Sequence, residues 1–140
     1  MSTEEIIRLL ELSPHLEGGH FRERFRDPRQ LNGRAASAVI YFLLRRGERS
    51  HWHRVDAAEV WHFHAGAALE LKIAEGVRSS VIVLGKSLAA GERPQGVVPA
   101  AAWQSAATPG DWTLVGCTVA PGFAFSGFEL APEGWSPPAG

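Results

Sequence analysis

Along this chain the spacing of apolar positions changes once, early, and the change divides it. From Ser2 to Leu12 the apolar residues fall at helical spacing, with Ile6, Leu9 and Leu10 in a stripe and Ile7 beside it. Ser2 or Thr3 can cap this helix, Ser2 with Glu5 fits a capping box, and Pro14 ends it. Beyond the turn signal Gly18-Gly19 the period becomes two. Phe21, Glu23 and Phe25 alternate with His20, Arg22, Arg24 and Arg26, which predicts a strand with one strongly basic face. Arg29 to Arg34 reads as a polar loop, and the nearly all-apolar Ser37 to Leu44 as a buried strand. Ala68 to Glu75 points Leu69, Leu71 and Ile73 one way and Glu70 and Lys72 the other, and Gly76 turns it into a hairpin with Val77 to Leu84. Gly85 to Pro94 reads as a loop. Short strands follow at Gln95 to Pro99, Ala102 to Ala106, Trp112 to Ala120 and Phe123 to Leu130, with a strong turn at Pro109-Gly110-Asp111. The tail from Pro132 has the composition of a loose end. The expectation is an all-β fold behind one N-terminal helix (about residues 3–12), a sandwich or closed barrel of the jelly-roll kind.

The polar chemistry is concentrated between Gly47 and Gly66. His51, His53 and Val55 alternate there, and after a short polar break so do Glu59, Trp61 and Phe63. Two such runs facing each other bring His51, His53 and Glu59 together in a pocket. His62 and His64 have the opposite parity and are expected on a sheet surface or dimer interface.

Composition removes several classes of function. The chain has 140 residues, 45% hydrophobic and 21% charged, as expected of one ordinary globular domain. A formal net charge of −1 offers no electrostatic footprint for a nucleic acid or an anionic membrane. Cys117 is the single cysteine, so an intrachain disulfide is excluded. It reads as a small buried hydrophobe rather than a nucleophile. The longest apolar run, Ala35 to Leu44, is too short to cross a bilayer and lies too far into the chain for a signal peptide. The expected location is the cytoplasm.

The central stretch also carries a recognisable frame. Gly47, His53, Glu59 and Gly66 fall at the spacing of the first cupin motif, with Val55 where a second histidine is expected. Pro99, Ala101 and Gln104 resemble the second motif, with alanine for glycine and glutamine for histidine. The blocks PHLEGGHFRE, YFLL, HWHRVDAAEVWHFHAG, GERPQGVVPAAAWQ and LVGCTVAPGFAFSGFEL resemble the fifth cupin family, small single-domain cupins long catalogued as a domain of unknown function. The resemblance implies a double-stranded β-helix, a jelly-roll cupin barrel at about residues 20–130 within a single domain spanning residues 1–140. It also implies a homodimer, and likeness to epimerase and storage cupins.

Three functions follow as expectations. The first is an epimerase- or isomerase-like enzyme acting on a sugar nucleotide or related cyclic ligand, with His53 and Glu59 as the acid–base pair. In the epimerase cupins a tyrosine supplies the acid, and Tyr41 is the single tyrosine here. The second is a metal-dependent cupin in which His51, His53, Glu59 and Gln104 hold a divalent transition metal, although a neutral amide is a weak ligand. The third is a non-catalytic binding or storage protein. Arg22, Arg24 and Arg54 are candidates for an anionic ligand group, Arg22 foremost. Trp61, Phe63 and Trp103 are candidates for an apolar wall. Glu17 sits beside two glycines that permit close backbone approach.

Overall fold

The computed structural model describes residues 1–138. Helix α1 (Thr3–Leu9) opens with the expected capping box, Ser2 and Glu5 bonding each other's backbone and side chains. It is shorter than its apolar stripe suggests. Glu11 takes φ 56° and leaves the helix, and the chain then lays β1 (Ser13–Pro14) against His20 and Phe21.

The strands that follow are β2 (His20–Arg26), β3 (Gln30–Leu31), β4 (Arg34–Ala35), β5 (Ala38–Arg45), β6 (Arg49–Val55), β7 (Ala58–Gly66) and β8 (Leu69–Glu75). The remainder are β9 (Arg78–Leu84), β10 (Gln95–Val98), β11 (Trp103–Ala107), β12 (Trp112–Ala120) and β13 (Phe128–Leu130). They form a six-stranded sheet, β1-β2-β5-β12-β7-β10, facing a five-stranded sheet, β13-β6-β11-β8-β9. β3 and β4 make a small separate ribbon. The architecture is a jelly-roll-like sandwich, and the expected closure into a barrel does not occur. Successive strands often change sheet. β6 and β7 lie in opposite sheets, as do β10 and β11, so residues close in sequence meet across the interior.

Alternation sorts each strand between interior and exterior. On β5, Phe42 and Leu44 enter the central core while Tyr41 and Leu43 pack outward with Ile6, Leu12 and Trp112 around α1. Leu69, Leu71, Leu84, Val98, Val115 and Trp61 fill one end of the interior. On the outer face of the five-stranded sheet, Trp52 packs with Ala74, Ala131, Trp103 and Trp135. The expected loose tail is therefore docked at least as far as Trp135, whose ring lies 4.6 Å from that of Trp103. None of the described helices is long and apolar enough to cross a membrane.

Candidate functional site

At the end of the interior opposite the packed core the sheets enclose a cavity of about 390 Å³. One wall is the six-stranded sheet, carrying Phe21, Ile40, Cys117, Val119 and Glu59. The other carries His53, Val55 and Phe128. Phe123 and Phe125, from the loop before β13, form the rim.

His53 is 2% exposed and Glu59 7%. They belong to opposite sheets and both face the cavity. The Nδ1 of His53 lies 2.8 Å from the carbonyl oxygen of His51. A carbonyl only accepts, so Nδ1 carries the proton and the neutral ring presents a lone pair at Nε2. That nitrogen sits 3.3 Å from Glu17 Oε2. A hydrogen bond there needs one proton, held by either the imidazole or the carboxyl.

Glu17 comes from a loop rather than a strand. Its backbone carbonyl accepts from the His51 amide at 2.7 Å, and its Oε1 accepts from the Ser50 hydroxyl at 2.8 Å. Gly18 makes this approach possible. It has φ 110°, and a Cβ there would overlap the Arg49 carbonyl oxygen. The close approach anticipated for this glycine pair is thus to neighbouring strands, Gly18 to β6 and Gly19 to β5.

Glu59 is held differently. Gln104, beside His53 in the five-stranded sheet, reaches across the interior and donates its amide to Glu59 Oε1 at 2.9 Å. Its own oxygen accepts from the Trp61 indole at 2.8 Å. Burial pushes the Glu59 carboxyl up to about 7, against the opposing influence of His53. Burial likewise raises Glu17 and lowers His53 and His15. Low-dielectric surroundings disfavour charge on all four groups. The Cys117 thiol is raised well above its ordinary value by burial first and by Glu59 second, so it stays neutral.

The other expected site residues lie elsewhere. Tyr41 is on the outer face of β5, edge-on to His64 at 6.2 Å, so the sheet separates it from the cavity. His51 points away and bonds the Pro132 carbonyl at 3.2 Å. The cause is a register shift where β6 meets β11, Gln104 pairing with His53 but Ala106 with Ser50, which turns Ser50 inward instead. Trp61 and Phe63 face inward but belong to the packed end. Trp103 lies on the outer face, with the Arg54 guanidinium 4.6 Å above its ring. Arg22 is half exposed and pairs with Glu11 at 3.3 Å. His62 and His64 do not line the cavity, and His62 bonds Thr118 at 3.2 Å.

Sequence reasoning missed Arg26. A second register shift, between Glu23 and Phe25 on β2, places Arg26 on the cavity side with Phe21 and Glu23. Its guanidinium grips Glu23 with bonds of 2.9 and 2.8 Å. Also missed were His15, which lines the cavity edge-on to Phe21 at 4.4 Å, and the phenylalanine rim. Neither has a periodic signal, because both sit on loops.

The expected metal-binding set of His51, His53, Glu59 and Gln104 is not assembled. Of the expected ligands, the Gln104 oxygen is taken by Trp61 and His51 faces outward, which leaves only His53 and Glu59 of that set at the cavity. Among the described residues no group of three or more His, Cys, Asp or Glu side chains is arranged to hold an ion.

The family model described as Cupin superfamily (DUF985) matches residues 4–131. The chain belongs to this cupin family. A protein from Shewanella oneidensis of known crystal structure is 42% identical over 94% of this chain and 85% of its own, with a TM-score of 0.90. A hypothetical protein from Leishmania major is 28% identical over 94% of this chain and 88% of its own, with a TM-score of 0.89. Oxalate decarboxylase from Bacillus subtilis, 18% identical with a TM-score of 0.64, shares the fold over 84% of this cupin, which spans 29% of that enzyme. No curated protein matches.

Proposed function

We propose that this cupin binds a small cyclic ligand between its sheets and moves a proton on it, in the manner of an isomerase or epimerase. The observation that carries the reading is the opposition of two proton carriers across one ligand-sized cavity: the His53–Glu17 pair and Glu59, whose pKa of about 7 lets it act as acid or base. With Glu17 ionised and His53 neutral, the pair accepts a proton from the ligand at Nε2 and becomes net neutral, the proton then shared with Glu17 Oε2. Glu59, protonated below about pH 7, returns one from the other wall. Gln104 and Ser50 hold the two carboxyl groups in place. This division of labour needs no tyrosine.

A sugar nucleotide asks for a cationic phosphate site. The cavity offers only Arg26, already paired with Glu23, so the related cyclic ligands of the original expectation are better supported. A metal-dependent reaction has no observation in its favour here.

The test is deuterium incorporation. Cyclic metabolites incubated with the protein in D₂O are followed by proton NMR, and the expected result is exchange at one ligand carbon that does not exchange without the protein. His53→Gln and Glu59→Gln should each abolish it. A ligand that binds but never exchanges would leave the non-catalytic binding reading in its place.

A further inference from the structure

The charges around the cavity do not balance. Six ionisable groups of Arg, His or Glu type line it: His15, Glu17, Glu23, Arg26, His53 and Glu59. Arg26 and Glu23 cancel each other through two hydrogen bonds, and the third guanidinium bond goes to the Phe123 carbonyl at 3.4 Å. His15 and His53 are held toward the neutral form by burial. What remains is Glu17 and Glu59, two buried carboxyl groups: Glu17 bonded to Ser50 and beside the neutral rings of His53 and His15 at 3.3 and 3.8 Å, Glu59 bonded to Gln104, and neither paired with an arginine or lysine. A buried carboxylate without a counter-charge is costly, and an entering cation supplies what the fold leaves out. The remaining surface is apolar and aromatic, with Phe21, Ile40, Val55, Val119 and Phe128 around a space of about 390 Å³. That volume suits one or two rings and lies near the low end of small-molecule sites.

We infer that the cavity selects ligands with a flat apolar body and an amidinium- or ammonium-like head seated between Glu17 and Glu59, and rejects phosphate- and carboxylate-bearing ligands. The inference rests on the cavity being a ligand site and adds the chemical class of the ligand. An anionic head would face two carboxyl groups or would have to break the Arg26–Glu23 pair. A cationic head gains charge-assisted hydrogen bonds from carboxyl oxygens on both walls.

Three probes of nearly equal shape separate the possibilities: benzamidine, benzamide and benzoate. Their binding to the full chain at pH 8 is measured by titration calorimetry and by amide chemical-shift mapping. Benzamidine should bind roughly tenfold or more tighter than benzamide, and benzoate weakest. The shifts should centre on residues near His53 and Glu59. Glu17→Gln and Glu59→Gln should each shrink the benzamidine preference, and Glu70→Gln, exposed on β8 away from the cavity, should leave it intact. Benzoate binding as well as or better than benzamidine, with the same residues perturbed, overturns the charge inference and leaves the pocket reading standing. A preference that survives both inner substitutions, or disappears with Glu70→Gln, also overturns it. If none of the three probes binds, both readings fall. The ranking on the wild-type chain stands as a test even if a variant does not fold.

Discussion

The two ends of the interior are bounded by the same two sheets, yet they are built for different purposes. At one end Leu69, Leu71, Leu84, Val98 and Val115 meet with almost no exposure. At the other the sheets splay around a cavity, and buried positions are taken by Glu17, His53 and Glu59. The first arrangement lowers the free energy of the fold through apolar burial. The second holds groups whose charged forms the interior disfavours, at a cost in stability. Gln104 and Trp61 are the seam. One hydrogen-bonded chain runs from the packed end through Trp61 and Gln104 to Glu59.

The comparison is broken most forcefully at the packed end. Leu71→Ala, at a site with 0% exposure, should cost about 2–5 kcal/mol in urea unfolding while the cavity-facing groups stay in place. A loss below about 1 kcal/mol would mean that the packed end does not carry the fold as described.

At the open end the expected signature is in the pH dependence. Glu59 has its pKa raised from 4.5 to about 7, so the folded state binds the extra proton between those values. Its contribution to stability is fully present below about pH 4.5 and is lost as pH rises through about 7, by on the order of 3 kcal/mol. His15 and His53, with lowered values, act in the opposite sense. The difference between wild type and Glu59→Gln isolates the carboxyl. It should slope downward with pH across that window, and a flat difference would show that Glu59 is not held protonated by burial.

The smallest effect on stability belongs to the rim. Phe125 is 72% exposed, yet it lines the cavity and packs edge-on against Phe123 at 5.1 Å. Phe125→Ala should change stability by less than about 0.5 kcal/mol. The same substitution should weaken benzamidine binding by roughly threefold, through lost aromatic contact at the mouth. Unchanged affinity would remove the rim from the site.

Much of this was legible in the residue order. Period-two alternation placed Leu69, Leu71 and Ile73 inside, and Gly76 turned β8 into β9 where expected. The family frame singled out His53 and Glu59, which the cavity does bring to one space. Legibility failed where the ladder slips. One irregularity on β2, beyond Glu23, turned Arg26 to the cavity side while Arg22 stayed on the opposite face, and another near Gln104 turned His51 out and Ser50 in. A slip of one residue exchanges the faces of everything beyond it, and no local pattern in HFRERFR or RSHWHRV announces it.

By itself, then, the order of residues determined most of the strands and which faces are apolar, because those properties depend on near neighbours along the chain, and its family frame singled out two polar groups that share the cavity. The tertiary structure alone decided that Glu17 becomes the partner of His53, that Gln104 serves Glu59 across the interior, and that the arginine at the cavity is already neutralised. Those pairings join residues far apart in the chain or on different sheets. Their energies depend on burial and on which side of a bulge each side chain falls, and both are properties of the assembled sandwich.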